Sequence, residues 1–242
     1  MEAGVFHLNL KVKRTRKAGS LFCISLHLNI LQRKTAQYGL NERRIVFLEA
    51  LEELKAKFLA IYSENIQRDG ADDLLKWLSE SDFFEAPAST RFHGSHEGGL
   101  LEHSLNVYHC LKEIVQQADL QDTYSPETIA ISALLHDVCK VNFYKKGFRN
   151  VKDEETGRWY KKEVYEIDEK FPCGEHADKS IIIIQNFIHL GPEEILAIRA
   201  HMGGWDTAVK GGNGFVGKIF ERSKLAVFLH FADMAATYLM EV

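Results

Sequence analysis

The chain has 242 residues, 45% of them hydrophobic, enough for one sizeable core with or without an appendage. A formal net charge of −4 excludes a chain built throughout as a polyanion binder, and no apolar run approaches the ~20 residues of a membrane span. Four scattered cysteines (Cys23, Cys110, Cys139 and Cys173) contain no CxxC pair, which excludes a disulfide framework or a zinc knuckle and fits a reducing cytoplasm.

The first forty residues stand apart. Lys11, Lys13, Arg14, Arg16, Lys17, Arg33 and Lys34 face one acid, Glu2, for a net +6 that leaves −10 on the remainder. A basic region before the apolar stretch Leu21 to Leu31 has the order of a signal peptide, but no small-residue cleavage site follows. The composition also suits a mitochondrial-type presequence. We read residues 1–40 as a basic, poorly ordered extension.

From Asn41, a plausible N-cap, to about Gln67 the apolar residues Ile45, Leu48, Leu51, Leu54, Phe58 and Ile61 recur at helical spacing. Ala71 to Glu80 reads as a shorter helix, and residues 41–81 as helices packing on the core. Pro87 and Ser89 mark a loop into Arg91-Phe92-His93-Gly94-Ser95-His96. Gly98-Gly99 opens a helix on which Leu100, His103, Val107 and Ile114 share a face. His103 therefore points inward, either as a core histidine satisfied by a carbonyl or as a ligand; His109 reads as surface.

Ser125 and Pro126 suit the N-cap and first position of the next helix, whose buried face runs through Ile129, Ala133 and Leu134 toward His136-Asp137 at its end. A buried, unpaired carboxylate is costly, and a neighbouring imidazole makes a divalent transition ion an economical partner. The alternative is a helix end where His136 caps a carbonyl and Asp137 is solvated.

Residues 141–167 are aromatic and β-branched with interleaved charges around an Asp153–Gly157 turn, which predicts an inserted two-stranded hairpin, either a flap over the site or a decoration packed on one side. A helix beginning at Glu175-His176 runs to Ile188, and another runs from Glu193 to Met202 with His201 at its end. Lys210 to Gly217 is glycine-rich without a GxxxxGK pattern and reads as a mobile loop rather than a phosphate cradle. On a last helix, Ser223 to Met240, Asp233 lies on the stripe of Leu225, Leu229, Ala236 and Met240; a paired structural aspartate competes with a ligand there.

His103, His136, Asp137 and Asp233 thus come inward from separate helices. Their order, with Gly-Gly-Leu-Leu-Glu-His-Ser before the first histidine and His-Asp-x-x-Lys at the doublet, resembles the HD-domain superfamily of metal-dependent phosphohydrolases over about residues 82–241. The detail is similar to bacterial and phage-type HD hydrolases and, more distantly, to the HD part of bacterial 3′-5′ exoribonucleases. The resemblance implies an all-α HD-domain helical bundle with the hairpin inserted. It also implies one or two divalent ions, with Mn, Fe, Co or Ni suiting imidazoles better than Mg does. His103, His136, Asp137 and Asp233 would hold the first ion, and His176 and His201 would add the second, with Asp137 bridging.

Cys139 departs from the glycine usual after the doublet. Asp137 would orient a metal-activated hydroxide, while Lys140 and Lys179 would bind phosphate oxygens. Arg91, His93 and His96 would complete the phosphate side or serve only as loop residues. The implied function is cleavage of a phosphomonoester or phosphodiester, of a nucleotide or a nucleic-acid end. Two alternatives keep the same ligands: a di-iron oxygenase, or a regulatory module that binds nucleotide without turnover. The basic head could add affinity for nucleic acid, although it lacks interleaved aromatics.

Overall fold

The computed structural model describes residues 40–241. The basic extension expected before them lies outside the described residues, as does the side chain of Asn41. In chain order the elements are α1 (Leu40–Asn65), α2 (Ala71–Glu80), α3 (Gly99–Gln117), α4 (Pro126–Leu134), β1 (Tyr144–Lys152), β2 (Trp159–Ile167), α5 (His176–Gln185), α6 (Pro192–Ala200), α7 (Thr207–Lys210), α8 (Phe215–Arg222) and α9 (Lys224–Ala235). Among the described residues the fold is all-α with one two-stranded antiparallel sheet. No described helix is long and apolar enough to cross a membrane.

One continuous core joins α1 to α9. Its axis is α3, buried along almost its whole first half, with α9 and α4 against it and α6 beyond. In α1 the buried stripe is Leu51, Leu54, Phe58 and Tyr62, whereas Ile45 and Leu48 are exposed and Ile61 is half-buried. The apolar period therefore runs further toward the N-terminus than the core does. Phe58 packs its ring against Phe83 and Phe84, which fastens α1 to the segment leading into α3. Arg68, after α1, donates to both carboxylate oxygens of the buried Glu194 on α6 (2.9 Å each) and to Glu127 on α4 (3.1 Å). A two-pronged guanidinium matches this pair of acids in a way a lysine could not.

Ser125 caps α4, its hydroxyl accepting the Thr128 N–H. That helix stops at Leu134 instead of continuing through Asp137; the chain turns and makes a short 3-10 segment, Val138–Lys140. The final helix also ends early, at Ala235, and passes into one π-helical turn, Ala236–Met240. The glycine-rich stretch is shorter than expected for a mobile loop: α7 ends at Lys210, α8 begins at Phe215, and four residues join them. His109 is half-buried rather than a surface residue.

The hairpin pairs Tyr144 with Ile167 at its base and Lys152 with Trp159 at its outer end. Its turn closes through Asp153, whose carboxylate accepts the Thr156 N–H and hydroxyl, and through Gly157 at φ +69°. The outer half is packed on neither face, since Phe148, Trp159 and Tyr160 are all exposed.

Candidate metal centre

Asp137 sits at the middle of a cluster of imidazoles. Its Oδ2 lies 3.4 Å from His136 Nε2 and 3.6 Å from His103 Nε2, and its Oδ1 lies 2.7 Å from His176 Nε2 and 3.6 Å from His201 Nε2. Asp233, from α9, places Oδ1 3.2 Å from His103 Nε2. His201 also groups with His136 and Asp233, so it stands between the two expected ligand sets rather than in the second alone. All six expected ligands are therefore in one place, delivered by α3, the turn after α4, the start of α5, the end of α6, and α9.

The other face of each ring explains the orientation. His136 Nδ1 donates to the Ala133 carbonyl (2.8 Å) and His201 Nδ1 to the Ile198 carbonyl (2.7 Å), in each case three residues back at a helix end. Helix C-termini leave such carbonyls without intrahelical donors. Capping and inward orientation are thus one arrangement: a carbonyl only accepts, so the proton sits on Nδ1 and the lone pair on Nε2 faces Asp137. His103 does the same with a carboxylate, Nδ1 lying 3.0 and 3.2 Å from the two oxygens of Glu241.

The Nε2 atoms of His103, His136 and His201 are buried and make no hydrogen bond. Imidazole nitrogens 3.2–3.6 Å from carboxylate oxygens need a positive charge between them, either a metal ion or, as on His103 when no metal is bound, a proton. Ligands about 2.0–2.2 Å from one ion lie roughly 3.0–3.5 Å from each other. The donor set fits a divalent ion in both chemistry and spacing.

The metal-free electrostatics point the same way. Burial disfavours a charged His103, but Glu241 and Asp233 outweigh it and push its pKa up to about 10. Burial likewise disfavours the Asp137 carboxylate; Lys140, His136 and His176 hold it well below the usual range. Lys140, itself buried, has its Nζ 2.6 Å from Asp137 Oδ2, and this contact keeps it charged against the cost of burial. Cys139 fits beneath the doublet, its N–H donating to Ser180 Oγ and its Sγ 3.3 Å from His176 Nδ1. Burial and Asp137 push the thiol up to about 12, which keeps it neutral.

A cavity of about 770 Å³ opens over this cluster and is lined by Asp137, Lys140, His176 and Asp233 at its floor. His93 is in its wall, its pKa lowered to about 4 by burial and by the charges of His103 and Lys140. The remaining residues expected on the phosphate side go elsewhere. Arg91 is exposed and is not part of the cavity wall. His96 pairs with Glu102 (3.3 Å). Lys179 pairs with Glu169 and lies over the Phe143 ring.

Glu241 has no motif around it, and sequence reasoning missed it. Asn106, one turn beyond His103 on α3, donates to Glu241 Oε1 (3.0 Å) and could have been found as a polar residue on a buried face. His230 Nδ1 supports the end of α6 by donating to the His201 carbonyl (2.6 Å).

A helical bundle that gathers imidazoles and carboxylates from several elements to the floor of one cavity is an architecture for metal chemistry. Residues 100–236 match the HD domain family, and the chain belongs to that family, a superfamily of metal-dependent hydrolases whose domains bind divalent metals. No curated protein and no solved structure gives a significant match.

Proposed function

We propose that the chain is a phosphohydrolase that cleaves a phosphomonoester or phosphodiester of a nucleotide or nucleic-acid end. The observation that carries this reading is the set of three buried, unpaired Nε2 atoms turned toward two carboxylates at the floor of an open cavity. His103, His136, Asp137 and Asp233 would hold one ion, with His176 and His201 available to a second. When bound, such an ion acts as a Lewis acid toward a phosphoryl oxygen and makes water a competent nucleophile at neutral pH.

The chain's own groups then divide the work. Asp137 would orient the attacking water by accepting a hydrogen bond from it, its carboxylate staying ionised beside Lys140. Lys140, held by Asp137, supplies a fixed positive charge beside the reacting phosphoryl group. His93, neutral at pH 7, offers one N–H to a phosphoryl oxygen from the cavity wall.

The wall also narrows the substrate. Among the described lining residues Lys140 is the only lysine or arginine, and it is engaged by Asp137. A triphosphate would find no cationic clamp for its second and third phosphates. Phe92, Tyr144, Trp205 and Tyr238 instead offer aromatic surface around the mouth, suited to a planar base. A substrate with one phosphoryl group on an aromatic body fits these features.

The test is metal analysis of protein purified without added metal, followed by turnover of p-nitrophenyl phosphate and of nucleoside mono-, di- and triphosphates with Mn, Fe, Co, Ni and Mg. We expect metal-dependent phosphate release, with monophosphates preferred. Metal-loaded protein that releases no phosphate and consumes oxygen with iron would overturn the reading.

A further inference from the structure

We infer that the cavity-side face of the hairpin is a platform for single-stranded nucleic acid that leads a strand end to the metal centre. Tyr144 and Ile167, paired at the hairpin base, are part of the cavity wall. Side chains alternate along a strand, so the face carrying these two also carries Tyr165, Phe148, Lys161 and Trp159 on the way outward. Phe148 and Trp159, 66% and 69% exposed, lie on this one face, so together they form an aromatic patch that no other described element covers. Lys146, Lys152 and Lys161 share the face against one acid, Glu163, which Lys146 already pairs with at 3.4 Å.

Aromatics interleaved with unneutralised lysines are what a sequence-tolerant single-strand site requires: π-faces for the bases, cations for the phosphates. The pattern runs eight residue steps, ~27 Å, out from the cavity, so several nucleotides can lie along it. The opposite face reinforces the charge, because Arg149 stands directly across from Lys162. Like charges in that position destabilise a bare hairpin and are relieved by a bound polyanion.

A second copy of this chain is a poorer occupant. A two-fold contact through the outer part of this face would bring Lys152 and Lys161 of one copy against the same lysines of the other, cation on cation, whichever of the two lies nearer the axis. The acids of the turn do not cancel the platform: Asp153 is used within the turn itself, and Glu154 and Glu155 lie beyond its outer end.

This inference rests on the hydrolase reading only for what happens at the strand end, and binding is measured without turnover. The 242-residue chain, as purified, is titrated against fluorescein-labelled ~15-nucleotide oligo(dT), followed by anisotropy, with the oligonucleotide checked intact afterwards. We expect Trp159→Ala and Phe148→Ala each to weaken binding about 5-fold or more. Lys152→Glu with Lys161→Glu should lower the slope of log affinity against log salt by about 1.4. These positions are exposed, and circular dichroism of each variant checks that it folds. Absence of binding overturns the inference, as does binding that all four changes leave intact. Self-association that the aromatic variants abolish, without oligonucleotide binding, would assign the face to a dimer instead. Phosphomonoester turnover, assayed separately, tests the hydrolase reading whatever the oligonucleotide does.

Discussion

Replacing Glu241 should weaken metal binding although Glu241 is not one of the six proposed ligands. Its side chain is 3% exposed and lies 3.0 Å from His103 Nδ1, with Asn106 donating to the same oxygen. Glu241→Gln keeps the volume and one acceptor but removes the charge that makes His103 a strong donor toward an ion. Partners of this kind are worth about 10–100-fold in metal affinity, or ~1.4–2.8 kcal/mol. One effect opposes this. Without Glu241 the metal-free His103 releases its proton more easily, and an ion must displace that proton. A divalent ion feels a lost carboxylate about twice as strongly as a proton does, so the net sign stays unfavourable. Glu241→Leu goes further, leaving His103 Nδ1 and the Asn106 amide without an acceptor and costing ~1–3 kcal/mol of stability for each. Competition against a chromophoric chelator gives the affinities, and thermal unfolding in EDTA separates folding from binding. Metal affinities equal to wild type in both variants would refute the reasoning, because His103 would then not depend on its outer partner.

Asp137→Ala should abolish metal binding and phosphate release while the helical circular dichroism signal persists; an active variant would defeat the proposed roles. Gly99→Ala should destabilise the protein by about 1–3 kcal/mol in urea, since a Cβ there would stand 2.0 Å from the Gly94 carbonyl oxygen in the loop that carries His93. Arg68 should shape the acid limit. Burial raises the pKa of Glu127, but Arg68 outweighs it and holds the group below its ordinary 4.5. That stabilisation is present above about pH 4.5 and is lost as pH falls through the folded-state value. Arg68→Met should therefore be less stable than wild type at pH 7, with the gap narrowing as the unfolding series is carried to pH 3; a gap constant with pH would refute the assignment.

The elements legible in the sequence are those whose signals are local. Helix α4 announces its start in Ser125-Pro126, the hairpin its strands and turn, and α9 its stripe with one misplaced acid. His103 and Asp233 were readable because a polar group on an apolar face has to be answered by something. Neither the answer nor its direction is local. His103 and Glu241 meet across 138 residues, and only the packed bundle brings them together. Whether His96 and Lys179 serve the cavity was equally a matter of neighbours: Glu102 and Glu169 claim them at short range. The chain by itself determined which segments coil, which faces are apolar and which residue types can bind a cation, because these follow from side-chain chemistry and a period of a few residues. The tertiary structure alone decided which lone pairs converge, which carbonyls set the imidazole tautomers, and which charges face the cavity, because Coulomb forces and hydrogen bonds act over ångströms in space whatever the separation along the chain.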